Sequence, residues 1–117
     1  MEIETFVEID RLYTVYQSLL TEKQRQVMEY YYQEDYSLTE ISDLMKISRQ
    51  AVHDNIKRTQ AQLYDYEARL HLLKKLEHTQ ELQSLLEEVT KQLEKQDPRE
   101  LKSLVEKMKQ ECEGLSE

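Results

Sequence analysis

Ile3, Phe6, Ile9 or Asp10, Tyr13, Tyr16 or Gln17, and Leu20 recur at three- and four-residue steps, the single apolar stripe of an amphipathic helix with an acidic outer face. The pattern predicts a first helix over residues 1–20. At Thr21-Glu22-Lys23-Gln24 the threonine side chain can accept from the amide three residues on while Gln24 reaches back, a capping box that opens a second helix from about Glu22 to Gln33. Ser37-Leu38-Thr39-Glu40 repeats the device ahead of Ile41, Leu44 and Met45 and predicts a short third helix over 38–45. Ser48 then caps a fourth helix, with Val52, Ile56 and Leu63 facing inward, supported by Ala51. From Leu63 the apolar positions run 63, 66, 70, 73 and then 82, 86, 89, 93. The slip across Glu77, His78, Thr79, Gln80 and Glu81 predicts a break or bend there. Asp97-Pro98-Arg99-Glu100 is a helix start, with Asp97 as cap and proline in the first turn. The last helix then carries Leu101, Val105, Met108, Cys112 and Leu115 in the four-three steps of a heptad seam.

Composition strengthens this picture. The chain of 117 residues has one glycine and one proline, too few for hairpins or phosphate-cradling loops, so the fold class is all-α. Its length suits one ordinary domain, here a helix-turn-helix bundle over 1–66, with a long C-terminal helical extension over 67–117 for dimerisation or partner docking. The acidic start MEIETFVEID and the lack of a long apolar run predict a protein neither exported nor embedded in a membrane, hence cytoplasmic. Cys112 is the single cysteine, and His53, His71 and His78 form no short-spaced cluster with it, so neither metal nor cofactor is expected.

A net charge of −8 argues against a general nucleic-acid coat. Any basic contact has to be local. Residues 46–66 supply it, with Lys46, Arg49, Lys57 and Arg58 against Asp54 and Asp65, whereas the preceding residues are strongly acidic. In residues 37–58 two short helices are separated by about three residues, the spacing of a helix-turn-helix whose second helix enters the major groove of double-stranded DNA. With Val52 and Ile56 inward, Arg49, Gln50, His53, Asp54 and Lys57 lie on the opposite side. The candidate DNA-binding residues are therefore Ser48, Arg49, Gln50, His53, Lys57 and Arg58. Arg49 suits guanine and Gln50 adenine, while Lys57, Arg58 and the first helical amides suit phosphates.

The same pattern also fits an ordinary helical hairpin whose basic residues solvate a surface. Tyr30, Tyr31 and Tyr32 point in different directions on a helix, so one or two of them are expected in the core and not on a base-stacking platform. That missing platform also weighs against a sequence-specific RNA reader. No nucleophile elbow, metal pair or glycine-rich loop appears, so catalysis and a small-molecule substrate are not expected. The rival is a helical interaction adaptor that docks a protein through the leucines of 63–93 and 101–115 and does not bind DNA.

Leu20, Arg25, Val27, Tyr32, Glu40, Ile41, Leu44, Ile47, Ser48 and Val52 follow a pattern that resembles the helix-turn-helix of sigma-factor region 4. Thr21 replaces that family's usual proline, and Lys46 its usual glycine, so a non-glycine residue has to accept a positive φ at the turn. The wider run FVEIDRLYTVYQSLLTEKQRQVMEYYYQEDYSLTEISDLMKISRQAVHDNIKR, with the helical Tyr-Asp-Tyr-Glu after it, resembles the YlxM family of small helix-turn-helix proteins over roughly residues 6–95. That resemblance implies a regulatory protein whose gene neighbours signal-recognition-particle genes, with a role in that targeting pathway and a component of the particle as a candidate partner.

Overall fold

The structure, a computed structural model, describes residues 2–95 and 98–115. Among them every regular element is helical: α1 (Ile3–Tyr16), α2 (Glu22–Met28), α3 (Leu38–Met45), α4 (Arg49–Leu70), α5 (Leu72–Lys95) and α6 (Pro98–Leu115). A 3₁₀ turn at Gln17–Leu19 follows α1, and a π-helical turn at Glu29–Gln33 follows α2. The expected cap Asp97 and the side chain of Leu115 lie outside the described residues. The chain forms two compact units, the first ending at His71 and the second beginning at Leu72.

In the first unit α1 buries Ile9, Leu12, Tyr13 and Tyr16, a stripe wide enough to pack against α4. Two details differ from the sequence pattern. Leu12 is fully buried although the three-four stepping passed over it, and Ile3 is 82% exposed. Packing begins at Phe6, whose ring centre lies 4.5 Å from that of Tyr32, so the turn before it stays in solvent.

The capping box at the start of α2 forms as expected. The Thr21 amide donates to Gln24 Oε1 at 3.0 Å, and the Gln24 amide donates to Thr21 Oγ1 at 3.2 Å. Gln24 has a second task, because its Nε2 donates to Thr59 Oγ1 at 3.1 Å and to Gln62 Oε1 at 2.7 Å. One buried amide thus starts α2 and ties it to α4.

The π turn after α2 has no marker in the sequence. Its signature is the Glu34 amide donating to the Glu29 carbonyl at 2.9 Å, after which Asp35 turns left-handed and the Tyr36 amide closes on the Tyr30 carbonyl. The three successive tyrosines separate across this turn. Tyr32 is buried and its hydroxyl accepts from Gln60 Nε2 at 2.7 Å, while Tyr30 stacks on Tyr36 at 5.5 Å.

Tyr13 and Tyr16 anchor the far side of α1. The Tyr13 hydroxyl donates to Glu29 Oε1 at 2.9 Å, and that of Tyr16 donates to Glu67 Oε1. Burial first, and then the hydrogen bond to the Glu29 carboxylate, push the Tyr13 phenol up to about 12.

The second unit is the antiparallel pair α5–α6, and here the sequence pattern needs correction. The helix break falls at His71, left-handed at φ 54° with its amide on the Glu67 carbonyl at 3.0 Å. It does not fall at 77–81, where α5 runs straight through. Residues 77–81 include neither glycine nor proline, and His78 fills an inward position by meeting Glu111 Oε2 at 2.6 Å through Nδ1.

The seam keeps the expected Leu82, Val89, Leu101 and Met108 but takes Leu85, Gln92, Leu104 and Glu111 in place of Leu86, Leu93, Val105 and Cys112. Leu82, Leu85, Val89 and Gln92 of α5 face Leu101, Leu104, Met108 and Glu111 of α6, all of them buried or half-buried. Leu86 and Leu93 are instead 47% and 59% exposed, and Val105 and Cys112 are exposed too. The four-three stepping that starts at His78 accounts for the choice, since it runs on through 82, 85, 89 and 92. Gly114 sits where α6 passes that histidine: an added Cβ would lie 2.7 Å from His78 Cε1.

Candidate nucleic-acid interface

The interface is built on α3 and the first half of α4. Ser37 caps α3 through the Glu40 amide at 3.1 Å, and the Glu40 side chain answers by accepting from the Ser37 amide at 3.2 Å. α3 ends at Lys46, left-handed at φ 57° and ψ 43°, so the position that demanded a positive φ does adopt one without glycine. The Ile47 amide then returns to the Ser42 carbonyl at 3.2 Å, which turns the chain sharply into Ser48.

What holds α4 in place is a small apolar cluster of Val27, Ile41, Val52 and Ile56, one or two residues from each helix of the motif. Tyr30, Tyr31, Tyr36, Leu38, Met45 and Ile47 pack around it. Burying this set fixes the angle between α3 and α4. The opposite side of α4 is thereby presented to solvent.

The candidate residues of the sequence pattern fall on that solvent side. Ser48, Arg49, Gln50, His53, Lys57 and Arg58 are all exposed, while Val52, Ile56, Thr59 and Leu63 are buried. Arg49, His53 and Lys57 repeat every four residues along one line, with Gln50 beside them, and Arg58 stands on the adjoining line. Arg49, Gln50 and His53 line an open cleft of about 400 Å³ together with Leu38. Tyr31, Leu38, Lys57 and Gln60 border a second cleft that shares His53.

Three of these side chains already have a partner. Ser48 Oγ accepts from the Ala51 amide at 3.0 Å, which caps α4 and leaves the hydroxyl proton free to donate. Gln50 Nε2 donates to Asp54 Oδ1 at 2.9 Å, and His53 Nδ1 lies 3.6 Å from the same oxygen. Asp54 therefore orients the glutamine amide and competes with any acceptor brought to it.

The sequence pattern did not single out Leu38 or Tyr31 as neighbours of the basic line. Leu38 follows the Ser37 cap, which makes it the first residue of α3 and places it over the start of α4. Tyr31 arrives there through the π turn, for which the sequence has no marker. Among the described residues no group of histidine, cysteine and acids is arranged to hold a metal, and no helix is long and apolar enough to cross a membrane.

Comparison with known proteins agrees with this geometry. The family described as "UPF0122: Putative helix-turn-helix protein, YlxM / p13 like" matches residues 3–111. The UPF0122 protein of Oceanobacillus iheyensis is 52% identical over 88 residues, covering 75% of this chain and 84% of the relative. The UPF0122 protein YlxM of Bacillus subtilis is 47% identical over 89 residues, covering 76% of this chain and 81% of the relative. A UPF0122 protein of Clostridium botulinum is 58% identical over 73 residues, covering 62% and 67%. The match of the family to nearly the whole chain, over an all-helical fold with α3 and α4 joined by a tight turn, means that the protein belongs to the UPF0122 family of YlxM/p13-like helix-turn-helix proteins.

Proposed function

We propose that the protein is a cytoplasmic regulator that binds double-stranded DNA by laying the N-terminal half of α4 in the major groove, and that it acts as a homodimer. The observation that carries this is the division of α4 into a buried apolar side and an exposed side with Arg49, Gln50, His53 and Lys57 in one strip. Arg49 takes guanine O6 and N7 as a bidentate donor, and Gln50 takes adenine once its amide leaves Asp54. Ser48, Lys57, Arg58 and the unpaired amides of the first turn of α4 hold phosphates, with His53 between the two sets. The head is used as the resemblance to sigma-factor region 4 implies, without promoter melting.

One copy offers a thin positive footprint on a chain of net charge −8, so two copies reading half-sites about 34 Å apart bind far better than one. The process regulated, inferred from the YlxM resemblance, is signal-recognition-particle protein targeting. The test is a salt-dependent binding titration against duplex from upstream of the protein's own operon and against scrambled duplex. Selective binding lost in Arg49→Ala with Gln50→Ala, at unchanged helicity, is the expected result. Equal, weak binding to both duplexes at low salt refutes it.

A second reading has its own observation. The exposed Leu86, Leu93 and Val105 and the acidic surface suit an adaptor that docks a protein of the same pathway and leaves DNA alone. On that reading Leu86→Asp with Leu93→Asp abolishes activity and the Arg49 and Gln50 changes do not.

A further inference from the structure

The seam of the second unit, by taking Leu85, Gln92, Leu104 and Glu111 inward, leaves an apolar side on the α5–α6 pair. Counting the buried seam as the a and d positions of a heptad, Leu86 and Leu93 of α5 and Val105 and Cys112 of α6 all take the e position. In an antiparallel pair the e positions of both helices share one side. The g positions share the other, and Glu88, Glu100 and Lys107 do border one cleft there. Four exposed residues of apolar character therefore lie together on the side away from that cleft.

The charges flanking this side are unequal. Beyond the α5 leucines stand Glu87 and Glu94 with no basic residue on that flank, whereas beyond Val105 and Cys112 of α6 stand Lys102 and Lys109 interleaved with Glu106 and Glu113, all of them exposed. The pairing of the helices is fixed by the His78–Glu111 contact near one end and by Gln92 and Leu104 around one cleft near the other. That register sets Lys102 at a height between Glu87 and Glu94, and Lys109 within about a turn of Glu87.

We propose that this side is where a second copy of the chain docks, about a two-fold axis running along the helices, so that α5 of each copy lies on α6 of the other in a four-helix bundle. The proposal rests on the dimeric part of the function given above and adds its face and its symmetry. The apolar residues meet at the centre, and the α5 glutamates of one copy stand against the α6 lysines of the other. A two-fold axis across the helices instead sets α5 on α5 and brings Glu87 and Glu94 against their own copies. Because the α5 flank is wholly acidic and the α6 flank is mixed in charge, the first arrangement carries the less repulsion.

The test uses the full chain in sedimentation velocity at micromolar concentration and low salt, with circular dichroism at 222 nm as the check on folding. The wild type is expected to be a dimer, and Leu86→Asp with Leu93→Asp a monomer of equal helicity. Glu87→Lys with Glu94→Lys, and separately Lys102→Glu with Lys109→Glu, each weaken the dimer by about tenfold. The four changes together restore it. A dimer that survives the leucine changes overturns the face, and additive weakening without rescue overturns the symmetry. A wild type that stays monomeric overturns dimerisation itself. DNA selectivity, measured on the same samples with Arg49→Ala, reports separately on the DNA-binding function.

Discussion

At the scale of single residues, the proposed DNA-binding role separates two kinds of contact along the exposed line on α4. If Arg49 reads a base, its replacement by alanine is expected to cost about 1–3 kcal/mol on the preferred duplex and much less on scrambled DNA. If Lys57 holds phosphate, Lys57→Ala is expected to weaken both duplexes alike and to lower the slope of log affinity against log salt by about 1. Titrations at several salt concentrations distinguish the two; an Arg49 variant that loses both duplexes equally removes its assignment to a base. Tyr13 gives a prediction about pH. Its folded-state phenol holds its proton up to about 12 against an ordinary value of 10.0. The unfolded chain therefore loses this proton first, and the stability it supplies is complete below 10.0 and drains away as pH rises towards about 12. Tyr32 and Tyr64 are shifted upward too, chiefly by burial. Urea midpoints followed through this alkaline range should fall more steeply for the wild type than for Tyr13→Phe, and identical slopes would clear Tyr13 of any part in alkaline unfolding.

At the scale of elements, the turn between α3 and α4 carries strain that the sequence announces. Lys46 is left-handed with a Cβ that crowds its own carbonyl, and its side chain is exposed, so nothing but the backbone is at stake in replacing it. Lys46→Gly is expected to raise stability by about 0.5 kcal/mol, the relief of the left-handed conformation less the added freedom of the unfolded chain. Lys46→Ala, which keeps the Cβ, should not. Thermal melts of the two variants decide it, and equal shifts would show that the lysine side chain and not its φ was responsible. This turn was legible because its determinants are local: Ser37 with Glu40, a residue in the place of a glycine, and Ser48 all act within four residues of chain. The same holds for Thr21 and Gln24. The α5–α6 seam was legible only to within one residue, because two stripes run side by side. The stripe through Leu86 and Leu93 is the more apolar, yet the buried one passes through Gln92 and the His78–Glu111 pair. Apolar content alone favours the wrong stripe, and only the partner helix decides. The π turn had no local signal at all, since it answers to the packing of Tyr32 under Gln60 from a distant helix.

At the scale of the molecule the two units are unequally built. The first buries Ile9, Leu12, Tyr13, Tyr16, Leu63 and the Val27–Ile41–Val52–Ile56 cluster, with Gln24 and Gln60 bonded across its interior. Among the described residues the second, by itself, buries Leu73, Leu85 and Gln92, and Gln92 Oε1 has no hydrogen-bond partner. Two helices with so small a core gain little beyond their own propensity, and helices of this length are marginal in water without a face to bury. The exposed leucines of α5 then have an energetic consequence. Covering them in the proposed dimer would add apolar burial to the unit that has least, so the stability of α5 and α6 is expected to depend on protein concentration while that of α1 to α4 is not. Amide hydrogen exchange tests this directly. On dilution, protection along α5 and α6 is expected to fall by about an order of magnitude or more while the amides around Val52 and Leu63 keep theirs. Uniform protection at every concentration would mean that the hairpin is stable on its own seam, and the dimer would then contribute position on DNA but no part of the fold.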